Sequence, residues 1–172
     1  MIEKFDKALE HTVTAFAYLA CFIVTTIFLA IVIDVSVRTL GITPPGLTLT
    51  YVEYALLYFT MFSAPWLVRQ RGHVVIEALV TVLPRPMQVF LAKLVYLLCM
   101  VVSVMFAYYS TILLLEALAT MESDIRGVAV PLWMMFAPMP ISFILVALEF
   151  FMYLIGLRSY YHYDLSEVRD GV

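Results

Sequence analysis

Arg69-Gln70-Arg71-Gly72-His73-Val74-Val75-Ile76-Glu77 is the stretch on which the reading of this chain turns. It is the densest charge cluster between two long apolar blocks, and it divides the sequence into halves with two hydrophobic runs each. Upstream lie residues 13–33 and 47–68; downstream lie 87–115 and 128–157. The 172 residues are 64% hydrophobic and only 13% charged, with mean hydropathy +0.99. A soluble domain is normally about a quarter charged. This chain lacks the polar surface to cover a water-soluble globule, which places it in the membrane class.

Each run is long enough to cross about 30 Å of hydrocarbon as a helix. The first ends at Asp34 and Arg38, one helical turn apart and able to pair. Gly41 and Pro44-Pro45-Gly46 then break the helix. The third run is longer than the bilayer needs, so it tilts or protrudes. The fourth carries Pro131, Pro138 and Pro140, which predict a kink or loosening in its first half. Small-residue rows at Ala17/Cys21/Thr25 and Ser103/Ala107/Thr111 suit close helix approach. The lead from Met1 to Glu10 has helical apolar spacing and suits the membrane surface.

Residues 73–83 are apolar but too short to span. His73, Glu77 and Thr81 form one polar stripe at helical spacing, as in a helix lying in the interface. The expected fold is all-α and integral to the membrane, a single domain over 1–172. It has four transmembrane helices and an interfacial amphipathic helix between the second and third.

Lys/Arg placement sets the orientation. Lys4, Lys7, Arg69, Arg71, Arg85, Lys93, Arg158 and Arg169 fall on one side; only Arg38 and Arg126 fall on the other. Both termini and the charged stretch are therefore expected in the cytoplasm.

An ionisable residue inside a span costs roughly 2.5–3.5 kcal/mol at the helix centre and needs a reason. Glu53 has three readings: a pair with Arg38 across the helix hairpin, a partner contact, or an ion site. Lys93 and Glu149 each lie about two turns from the inner end of their spans, so an ion pair is expected; the alternative is separate snorkelling. Arg69, Arg71 and His73, with Glu77 downstream, meet either lipid phosphates or a partner subunit. Cys21 and Cys99 sit in apolar runs and read as packing residues.

The chemistry that is missing narrows the function. The mid-depths are apolar, so no polar solute pathway is indicated. His11, His73 and His162 sit at or beyond span ends, which disfavours haem ligation. No cysteine pair, catalytic triad, metal motif or phosphate loop stands out, and nothing suits nucleic acid. The chain reads as a non-enzymatic accessory subunit without cofactor, packed beside something larger. The alternative is a membrane anchor of a respiratory or redox enzyme complex; a small self-contained exporter is a third possibility.

The chain resembles the small membrane subunit of TRAP (tripartite ATP-independent periplasmic) transporters, the DctQ-like family. The residues that carry the resemblance are Asp34-Val35-Ser36-Val37-Arg38, Glu53, Arg71-Gly72-His73-Val74 with Ile76-Glu77 and Leu83-Pro84, and Pro131-Leu132-Trp133 with Pro138. The family often has a tryptophan and paired acids where this chain has Thr50-Tyr51-Val52-Glu53-Tyr54. The resemblance implies a bacterial inner-membrane protein working with a large membrane subunit and a periplasmic solute-binding protein that meets it transiently. It also implies sodium-driven uptake of an organic acid, with the small subunit as a static scaffold for the large subunit's elevator motion.

Overall fold

The computed structural model describes residues 2–42, 47–70, 85–125 and 128–155. Helix α1 (Ile2–Thr39) is followed by α2 (Leu47–Arg69) and α3 (Arg85–Thr120). A small hairpin, β1 (Ser123–Ile125) and β2 (Ala129–Pro131), leads into a short α4 (Trp133–Phe136) and then α5 (Pro138–Leu154). Three helical segments are long and apolar enough to cross a membrane: Phe5–Thr39, Phe90–Thr120 and Trp133–Leu154. Helix α2 has 23 residues and is not among these three. It carries Thr48, Thr50, Thr60, Tyr51, Tyr54, Tyr58, Glu53 and Pro65.

The ends follow local chemistry. Helix α1 stops at Gly41, whose φ of 78° is open to a residue without Cβ. The Gly41 N–H donates to Arg38 O and the Ile42 N–H to Val37 O, the paired bonds of a Schellman cap. The start of α1 differs from the surface segment expected for Met1–Glu10. The helix runs unbroken from Ile2, and Leu9 and Val13 are buried against Leu145 and Met152 of α5. Those apolar contacts hold the first turns in line with the span. The last span also begins differently. Residues 129–131 pair with 123–125 in antiparallel register, so the helical part starts only at Trp133.

Helix α5 is the centre of the bundle. One side holds Ser142, Glu149 and Tyr153 toward α2, another packs Phe143 and Phe150 toward α3, and a third meets α1. On α3 the buried row is Ser103, Ala107, Ser110 and Ala117. Small side chains there let two backbones come close. On α1 the packed face is Val13, Ala20 and Ile27, at seven-residue spacing. Of the Ala17/Cys21/Thr25 row, Ala17 is half-buried beside that face, whereas Cys21 and Thr25 are exposed. Outward faces stay apolar: Phe22, Phe28, Phe90 and Leu98 are all exposed. Such surface needs lipid or protein to cover it.

Candidate functional site

Six aromatic and hydroxyl contacts fix the register of the helices, and the register decides which charges meet. Tyr51 donates to Thr26 Oγ1 at 2.7 Å, and Phe62 stacks edge-on with Phe16 at 4.9 Å, so α1 and α2 run antiparallel. Tyr96 packs on Tyr153 and Phe106 on Phe143, with ring centroids 5.6 and 5.2 Å apart, so α3 and α5 run antiparallel too. Helices α2 and α5 are parallel, tied by Ser142 to Met61 O and by Tyr153 to Val68 O.

At the end of α2 this register gathers a charge cluster. Arg69 Nη1 lies 2.8 Å from Glu149 Oε1, and Nη2 lies 3.0 Å from Glu10 Oε2 and 3.9 Å from Asp6 Oδ1. The Glu149 side chain is 0% exposed and that of Arg69 only 9%. A carboxylate removed from water this completely is stable only when paired and hydrogen-bonded. The planar guanidinium provides several donors at once, so a single residue links α1, α2 and α5. The Tyr153 hydroxyl adds a three-centre bond to Val68 O and Arg69 O, at 3.2 and 3.1 Å. These are terminal carbonyls of α2, which have no partner inside their own helix.

A second set of contacts lies nearer mid-depth and involves the prolines. Pro65 sits inside α2 and has no N–H, so the carbonyl of Met61, four residues back, loses its helical donor. The Ser142 hydroxyl of α5 supplies one. Pro138 opens α5 and frees the Met134 carbonyl in the same way, and the Tyr58 hydroxyl of α2 donates to it at 2.7 Å. The α2 hydroxyl thus serves a carbonyl of α4 that Pro138 exposed, and the α5 hydroxyl one of α2 that Pro65 exposed. In hydrocarbon, where water cannot help, an unmet carbonyl costs several kcal/mol.

Two expected pairings are replaced. Glu149 pairs with Arg69, and no Lys93–Glu149 bridge occurs among the described residues. The register places Glu149 opposite Met100, whereas Lys93 lies seven residues further along α3, about 10 Å at 1.5 Å per residue. Lys93 is exposed. Arg38 pairs with Asp34 of its own helix at 2.7 Å, not with Glu53. Glu53 stands opposite Val24, about 21 Å along α1 from Arg38. Arg69 differs from a lipid-facing anchor, because its guanidinium is directed into the bundle. Arg71, His73, Glu77 and the interfacial helix at 73–83 lie outside the described residues. Glu10, Asp6, Tyr58, Ser142 and Tyr153 are partners that sequence reasoning missed. Pro65 and Pro138 carried a signal for two of them, since each proline within a span implies a hydroxyl or similar donor nearby. Cys21 and Cys99 are free thiols. Among the described residues no group of His, Cys, Asp or Glu is arranged to hold a metal ion.

These features define a class first: a membrane protein with several apolar helices, whose buried charge joins helices to one another. The family model for the DctQ component of tripartite ATP-independent periplasmic transporters matches residues 27–158, and the chain belongs to that family. The family is a transporter component rather than an enzyme, and it functions with a large membrane subunit and a binding protein. The match lends no support to a redox-complex anchor. No curated protein matches the chain.

Proposed function

We propose that this chain is the static scaffold subunit of a sodium-driven importer, bracing a large elevator subunit that takes up an organic acid. A periplasmic binding protein delivers the solute and touches the small subunit only transiently. In this reading α2 is a fourth span, both termini are cytoplasmic, and residues 73–83 lie in the inner interface. Arg71, His73 and Glu77 anchor that segment to lipid headgroups or to the large subunit.

The observation that supports the reading is the cross-bracing of α1, α2 and α5. Arg69 ties three helices at one end, and two hydroxyl-to-carbonyl bonds tie α2 to α4 and α5 further along. An elevator works only against a frame that keeps its shape. Buried polar links that are fully satisfied favour one arrangement over its competitors. The buried charges are consumed by this bracing, which leaves them unsuited to carry a solute.

Reconstitution tests the proposal. The large subunit is placed in sodium-free vesicles with and without this chain, sodium is added to the outside or withheld, and binding-protein-dependent uptake is measured. Uptake should require both membrane subunits and an inward sodium gradient. Full uptake by the large subunit alone, or uptake by this chain alone, would overturn the scaffold role. Thiol labelling of single cysteines at Thr39 and at the N-terminus, from either side of the membrane, tests the orientation.

A further inference from the structure

We propose that a cavity between α1, α2 and the hairpin holds one acyl chain of a membrane phospholipid, with the Thr50 hydroxyl donating to its ester carbonyl. The cavity has a volume of about 400 Å³ and is lined almost wholly by apolar surface. Its walls are Ile23 of α1, Ala55 and Tyr54 of α2, and Val130 and Met134 on the far side. It runs from the first turn of α2, at Leu47 and Thr50, down to Tyr58. That is eight residues from Thr50 to Tyr58, about 12 Å along the helix. It is an elongated apolar slot at the end of the bundle away from Arg69.

The Thr50 hydroxyl of the lining bears on what the cavity holds. Thr50 is 5% exposed, and its Oγ1 has no hydrogen-bond partner. A buried hydroxyl without a partner is unfavourable, so an acceptor or donor from outside the chain is expected. Water fits poorly in a lining this apolar, because a buried water needs two to four polar partners. Two of the tyrosine hydroxyls in the lining are turned to other partners: Tyr51 donates to Thr26 Oγ1 and Tyr58 to Met134 O. A molecule with one carbonyl beside Thr50 and a long apolar tail satisfies both the hydroxyl and the slot. A phospholipid ester has this form. Its carbonyl lies at the boundary between headgroups and hydrocarbon; this rests on the proposal that α2 is a fourth span, whose first turn lies there too.

The test uses the assembled complex of this chain with the large subunit, in vesicles doped with a phosphatidylcholine that carries a photoreactive diazirine in one acyl chain. After illumination, labelled peptides are mapped by mass spectrometry. Adducts should concentrate on 47–58 and 130–134, above the labelling of the equally apolar but convex face of α3. Ala55→Phe, which fills the slot, should reduce those adducts at least fivefold. Thr50→Val keeps the shape and removes the hydroxyl, and should reduce them two- to threefold. Labelling of α3 should not change in either variant. Label spread evenly over exposed faces would overturn the proposal. So would a slot labelled in the isolated chain but protected in the complex, which would assign it to the large subunit.

Discussion

The two ends of the α1–α2–α5 bundle are built by different means. At the Arg69 end, charge closes the structure: one guanidinium on three carboxylates, with Glu149 wholly buried. At the Thr50 end α1 and α2 border a cavity of about 400 Å³ closed by Val130 and Met134, and the buried Thr50 hydroxyl has no partner. Between them, two proline-exposed carbonyls accept hydroxyls from a neighbouring helix, one in α2 and one in α4. The difference teaches how a small membrane subunit can be rigid and still adaptable. Buried charge cannot be re-paired cheaply, so it fixes geometry. An apolar slot tolerates different occupants, because dispersion contacts are non-directional.

Removing Glu149 should break the comparison most severely. Glu149→Ala leaves the Arg69 guanidinium mostly buried with only the Glu10 and Asp6 carboxylates, and should cost about 3 kcal/mol of bundle stability. Unfolding in mixed micelles checks this. Arg69→Met combined with Glu149→Leu should recover most of that loss, since the pair can be replaced by apolar volume.

The proline links come next. Ser142→Ala strands the Met61 carbonyl and should cost about 1 kcal/mol. In a Pro65→Ala background the restored N–H serves that carbonyl, and the same Ser142→Ala change should cost about half as much or less. A double-mutant cycle reads the coupling directly, and additive effects would refute the arrangement. Tyr58→Phe with and without Pro138→Ala repeats the test from the other helix.

The smallest effects are expected away from both regions. Asp34→Asn loosens an exposed i,i+4 pair and should change stability by about 0.5 kcal/mol or less. Lys93→Gln should leave the bundle within about 0.5 kcal/mol of the parent in the same micelle assay. A large loss there would restore Lys93 as the partner of Glu149.

The helices were legible in the sequence because their causes are local. Apolar runs longer than a bilayer, the Gly41 stop and the prolines at 131 and 138 all act over a few residues. The family was legible as well, through Asp34 to Arg38, Arg71 to Val74 and Pro131 to Trp133. The partners of the buried charges were not. Lys93 and Glu149 looked level when counted from the ends of their runs, yet side-chain packing sets the register, and it shifts them by two turns. Glu53 and Arg38 failed to meet for the same reason.

The sequence by itself determined membrane residence, the succession of apolar helices and the family. These depend on composition and on short-range periodicity, which any chain in lipid must obey. Only the tertiary structure decided that Arg69, rather than Lys93, neutralises Glu149, and that Ser142 and Tyr58 complete the carbonyls freed by Pro65 and Pro138. Those pairings join residues roughly 80 positions apart. They depend on how far one helix slides along another, and that is settled by the aromatic and small-residue contacts of the whole seam.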